Sequence, residues 1–163
     1  MEDLRDDISR NGDFVMGEHS CRLLKGKPVV DMLAEGINAE TEGLKAAGVV
    51  PKLAIVRMGA RPDDLAYERG VMKRCEALGV ASEVCGRWGD APASALLERI
   101  EALGRDAKVH GILPFRPVPK QIDLDALNRT IDPRKDVDCI GPAASAAVFD
   151  RSLPGFLPCT AEA

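Results

Sequence analysis

From Pro28 onward the apolar positions alternate between two rhythms. Val29, Met32, Leu33, Ile37 and Leu44 fall largely on one helical face, which predicts a helix beginning at Pro28 and stopping at Gly48. Leu53 to Val56 is a short unbroken apolar run, the pattern of a strand buried in a parallel sheet. A second helix is predicted from Pro62, where Asp63 and Asp64 suit the positive helix end, through Tyr67, Val71, Met72 and Cys75 to Leu78, with Gly79 closing it. Val80 to Val84 reads as a second strand and Val109 to Leu113 as a third. Between them Pro92 to Leu103 forms an amphipathic helix, with Leu96, Leu97, Ile100 and Leu103 spaced for one face. A proline-rich turn, Pro114 to Pro119, leads to a short helix over Asp125 to Arg129, and Ala143 to Ala147 reads as a small-residue helix. Residues 1–22 carry no sustained apolar period and read as a flexible arm, with poor order expected to about Asp13.

Helices alternating with strands imply an α/β domain: three α-β-α layers around a mainly parallel sheet. In such sheets ligands sit outside the carboxyl ends of the strands. The segments Met58 to Tyr67, Pro114 to Pro119 and Asp136 to Pro142 should therefore cluster there.

Composition narrows the function classes. The chain has 163 residues, 45% of them apolar, and a net charge of −4. No apolar run approaches the roughly 20 residues that span a bilayer, and Met1 to Gly12 is too acidic for a secretory leader. The acidic balance, with only 4% aromatics, argues against nucleic-acid binding. Five cysteines without a C-x-x-C spacing read as free thiols of a reducing cytoplasm. His19 and His110 are the only histidines, too few for a three-histidine metal site, and no metal is expected.

Four segments carry chemistry: Lys25-Gly26-Lys27; Gly59-x-x-Pro62-x-x-x-x-Tyr67 with Cys75 beyond; Gly111-Ile112-Leu113-x-x-x-Pro117-x-Pro119; and Lys135-Asp136-Val137-Asp138. In this order and spacing, with Pro158-Cys159-Thr160 after them, they resemble the bifunctional methylenetetrahydrofolate dehydrogenase/cyclohydrolase family. The resemblance covers Leu23 to Thr160 and implies its folate-binding catalytic domain over residues 23–160, an enzyme of one-carbon metabolism that uses NADP. The nucleotide-binding domain of that family is absent from this chain, which has no G-x-G-x-x-G loop. No cofactor is therefore expected on this chain. A tetrahydrofolate-type small molecule and a homodimer are the partners the resemblance implies.

The site residues carry over unevenly. Tyr67 matches the tyrosine that packs on the folate ring, a role suited to a flat, amphipathic side chain, although its type alone also fits a half-buried helix residue. Asp138 matches the aspartate that accepts the pterin amino groups, although an aspartate in this setting can also form a turn. Pro117 and Pro119 match the proline pair of the substrate site. The family's catalytic lysine, four residues after the tyrosine, is Val71 here, and the glutamine that orients it is Phe115. Lys73 and Arg74 follow at the wrong angle or the wrong height on the helix to replace the lysine. Arg116 would reach the site only through a rebuilt loop. These departures imply impaired catalysis, or a pterin-binding or partner-binding module without catalysis.

Overall fold

The computed structural model describes residues 13–16, 19–22, 24–86, 91–150, 152–153 and 156–159, the first two stretches as backbone. The chain forms two units, residues 1–37 and 38–163.

In the first unit, β1 (Asp13–Met16) pairs antiparallel with β2 (His19–Arg22), Phe14 opposite Cys21. The hairpin lies in the segment read from sequence as an arm, because two four-residue strands are too short for their alternation to register. The expectation of poor order before Asp13 falls outside the described residues. Helix α1 (Lys27–Ala46) begins in this unit and ends in the second, two residues before Gly48. In the second unit its buried residue is Thr41, whose hydroxyl lies 3.0 Å from the carbonyls of both Asn38 and Leu78.

The rest of the second unit follows the predicted alternation: β3 (Lys52–Val56), α2 (Pro62–Ala77), β4 (Ala81–Cys85), α3 (Ala93–Arg105), β5 (Gly111–Pro114), α4 (Leu124–Thr130) and α5 (Pro142–Phe149). β3 is the central strand, parallel to β4 on one side and to β5 on the other, with Val56 opposite both Cys85 and Pro114. Ala54, Val56, Leu96, Ile100, Ile112 and Leu127 are fully buried in one cluster that joins the sheet to α3 and α4. This is the mixed α/β arrangement read from the sequence.

Two strands begin one or two residues later than the apolar pattern suggests. Val109 is buried, but its N–H bonds to the Asp106 carbonyl in a turn, so strand pairing begins at Gly111, opposite Leu53. A methyl group on Gly111 would lie 2.7 Å from Val137 Cγ1 and 3.2 Å from Leu53 Cδ1. The glycine therefore lets β5 slide between the central strand and the segment carrying Val137. At the outer strand, Glu83 holds an ion pair with Lys52 at 2.5 Å and another with Arg99 at 2.8 Å. Its hydrogen bond to Lys52 leads in keeping the carboxyl below the ordinary glutamate range. The described residues include no helix long and apolar enough to cross a membrane.

Candidate functional site

Three connections meet at the carboxyl ends of the strands. The first leaves β3 through Arg57 and Met58, turns at Gly59 with φ +93°, and enters α2 at Pro62. Proline suits that first position because its missing N–H has no helical partner there. Tyr67 follows within the second turn of the helix and is largely exposed. The rotation of α2 is held by Arg57, whose Nε donates to Glu68 Oε2 at 2.5 Å; the two side chains are only 12% and 13% exposed. Arg57 also donates through Nη1 to the Gly59 carbonyl, joining strand end, turn and helix. Further along α2, Cys75 faces the interior, where burial pushes its thiol pKa up.

Glu68→Ala would leave the Arg57 guanidinium partly buried without its carboxylate. Such a loss is strongly destabilising, and the remaining exposure of this pair reduces it to about 2 kcal/mol. Urea unfolding should show the midpoint lowered with an unchanged slope; an unchanged midpoint would mean that the pair does not fasten the helix.

The second connection continues β5. The Phe115 N–H donates to the Val56 carbonyl at 2.9 Å, and the Phe115 side chain is buried. Its ring lies 5.0 Å from that of Tyr67 at an interplanar angle of 49°, a tilted aromatic pair. The peptide from Arg116 to Pro117 is cis.

The third connection is the Lys135-Asp136-Val137-Asp138 segment, pinned beside β5. The Ile112 N–H donates to the Lys135 carbonyl at 2.7 Å, and Asp136 bridges to Ile112 in parallel register. Lys135 Nζ donates to the carbonyls of Leu103 and Asp106 at 3.1 and 2.7 Å. The Asp136 carboxylate is 2% exposed and accepts from the Ile140 and Gly141 N–H groups at 3.2 and 2.7 Å. That ring of bonds shapes the turn that presents Asp138 and starts α5, so Asp136 is the loop-stabilising member of the motif.

A cavity of about 190 Å³ lies where the three connections meet, lined by Asp64, Tyr67, Phe115, Arg116 and Asp138 over a floor of Leu113 and Pro114. The structure thus brings Tyr67, Phe115 and Asp138 together. Pro117 and Pro119 follow in the turn and are not among the lining residues; nor are Val71, Lys73 and Arg74. Arg116, expected to reach the site only through a rebuilt loop, lines it directly. Its Nη2 donates to Asp138 Oδ2 at 3.0 Å, with the two side chains 48% and 40% exposed. The Arg57–Glu68 pair has almost no signature in the sequence; its only signal is a charge directly after the apolar strand Leu53 to Val56.

Larger hollows elsewhere, such as one of about 430 Å³ beside Lys52, Lys108 and His110, lie at the opposite ends of the strands and contain none of these groups. Among the described residues no cluster of His, Cys, Asp or Glu is arranged to hold a metal ion. The site therefore offers an aromatic face, an ion pair that engages one of the two Asp138 oxygens, and no group placed four residues beyond Tyr67 to move a proton.

The family described as tetrahydrofolate dehydrogenase/cyclohydrolase, catalytic domain, matches residues 24–138. The bifunctional protein FolD of Alkaliphilus oremlandii is 44% identical over 138 residues, covering 85% of this chain and 48% of that protein. The crystal structure of the FolD methylenetetrahydrofolate dehydrogenase/cyclohydrolase from Campylobacter jejuni superposes with a TM-score of 0.78 at 32% identity, over 83% of this chain and 48% of the other. The Trypanosoma brucei FolD, solved with NADP cofactor and an inhibitor, gives a TM-score of 0.78 at 26% identity, over 86% of this chain and 48% of the other. The chain spans about half the length of the curated relatives it matches.

Proposed function

Since the chain belongs to the tetrahydrofolate dehydrogenase/cyclohydrolase catalytic-domain family, we propose that its cavity is a pterin site in which binding has been separated from chemistry. One observation carries this reading: Tyr67 and Asp138, far apart in sequence, line one cavity at the carboxyl ends of the strands. Tyr67 supplies a flat face for a heterocycle. Asp138, acceptor-only when ionised, takes N–H donors from the ring edge. Neither function needs the lysine or the glutamine of the family pattern.

Chemistry does need them. Opening or closing an imidazoline ring requires a group that delivers or removes a proton at the reacting centre. Val71 and Phe115 stand at the two positions that supply it in the family, and neither side chain can exchange a proton. The domain is accordingly a folate-binding half with impaired cyclohydrolase and dehydrogenase activity. The buried Phe115 ring favours a second form of this reading, a pterin-binding module without catalysis, because it closes one wall of the cavity with apolar surface.

The helix start at this cavity does not fit a dinucleotide phosphate. The turn from β3 into α2 has a single glycine, Gly59, and Pro62 removes an N–H from the helix start where a phosphate would be cradled. NADP, with the activity of the whole bifunctional relatives, belongs to a partner half of the family fold.

Calorimetry with tetrahydrofolate tests the pterin site. Stacking and a charge-assisted bond each contribute on the order of 1–3 kcal/mol, and the solvent-exposed Asp138 weakens the second. The wild type should bind no tighter than roughly micromolar, equivalent to about 8 kcal/mol, and Asp138→Ala should weaken binding about tenfold or more. No heat at millimolar ligand, or equal binding by the variant, would remove the pterin site and leave a partner-binding module.

A further inference from the structure

We propose that Arg116 is a specificity-determining residue, an internal competitor that a ligand's N–H edge must displace from Asp138. The inference rests on the pterin-site reading above and concerns the same cavity. Arg116 Nη2 occupies Asp138 Oδ2, one of the two oxygens that a pair of ring N–H donors would engage. With Arg116 in that place the cavity holds about 190 Å³. That is below the roughly 300 Å³ at which pockets for small organic ligands begin. A two-ring heterocycle enters only if a wall moves.

The walls differ in what restrains them. Phe115 is buried, bonded through its N–H to β3 and packed on Tyr67. Leu113 and Pro114 belong to β5. Asp138 sits on the turn that Asp136 ties down. Arg116 has a long side chain, 48% exposed, fixed at its tip by the bond to Asp138. Asp64 is held by its ion pair with Arg61 and Tyr67 by the Phe115 ring, so Arg116 is the wall that yields.

Displacement has a chemical condition. A ligand carrying paired N–H donors replaces the guanidinium bond with its own bonds to the carboxylate. A ring of the same size without that edge leaves the ion pair intact and meets a closed cavity. Arg116 thus lowers affinity for every ligand and discriminates against rings that lack donors. Exposed ion pairs of this kind are weak, up to about 1 kcal/mol, which is close to fivefold in affinity.

A double-mutant cycle read by calorimetry with tetrahydrofolate decides the matter. Arg116→Ala should bind about three- to fivefold tighter than the wild type. In the Asp138→Ala background the same substitution should leave affinity unchanged, because there is no carboxylate left to release. Circular dichroism verifies that each variant is folded, and Arg116→Gln, which keeps much of the bulk without the charge, repeats the comparison. Tighter binding confined to the Asp138 background supports the proposal. Equal tightening in both backgrounds assigns the effect to bulk and overturns it. Binding by the wild type that Arg116→Ala leaves unchanged overturns it alone, whereas no binding by any variant overturns the pterin site as well.

Discussion

Hydrolysis of methenyltetrahydrofolate in the presence of this chain should proceed at the uncatalysed rate. The position one helical turn beyond Tyr67, about 40° around the helix from it, holds Val71. A residue there faces the same side as the tyrosine, so a lysine would reach a ring stacked on the tyrosine in the proposed site. Valine reaches nothing with a proton. Removing a general acid–base group typically lowers a rate by 10² to 10⁴. Arg116, the basic residue that lines the cavity, is engaged with Asp138 at 3.0 Å, and a guanidinium is not a proton shuttle. The assay follows loss of the methenyl chromophore against a protein-free control. Turnover comparable to that of an intact relative would show that another group replaces the lysine. Val71→Lys with Phe115→Gln should lift the rate above the control. Val71→Lys alone should not, because the ammonium would then meet the Phe115 ring in place of an amide partner.

Asp136→Ala should lower the unfolding free energy by about 3–4 kcal/mol. The carboxylate is 2% exposed, and it accepts from the backbone N–H groups of Ile140 and Gly141. Bonds to a charged group contribute roughly 1.5–3 kcal/mol each, and the alanine takes the acceptor from both donors. A methyl group on Gly141 would lie 3.0 Å from Asp136 Oδ2 and 3.2 Å from the Asn128 carbonyl, so the turn has little room to find another arrangement. Asp136→Asn keeps one acceptor oxygen but turns an N–H₂ group toward an N–H, and should cost about 2 kcal/mol. Chemical denaturation measures both. A loss below about 1 kcal/mol for the alanine variant would mean that water or a shifted turn satisfies the two donors.

The two predictions draw on opposite kinds of information. The first rests on the sequence through its resemblance to the family, whose pattern implies a lysine four residues after Tyr67 and a glutamine two before Pro117, where this chain has Val71 and Phe115. The second has its motif in the sequence and its magnitude in the structure. Lys135-Asp136-Val137-Asp138 has two aspartates of the same type, two residues apart. Only the fold separates them, one buried under backbone donors and the other presented to the cavity.

The order of helices and strands is written in the chain itself. Helical and strand periodicities are local properties, and a face that must be buried repeats at 3.6 residues or runs unbroken whatever it packs against. Helix stops at Gly48 and Gly79, the parallel character of the sheet and the gathering of the three loops all follow from such local signals together with the rules for connecting strands. The tertiary structure alone decided what has no local signature. Pairing register moved the starts of β4 and β5 to Ala81 and Gly111. Arg57 found Glu68 eleven residues away, and Arg116 found Asp138 twenty-two residues away. A charged side chain states in the sequence that it will seek an opposite charge. Which one it meets depends on distances that exist only once the strands have paired, and at this cavity that choice placed a guanidinium where the sequence pattern leads one to expect an open carboxylate.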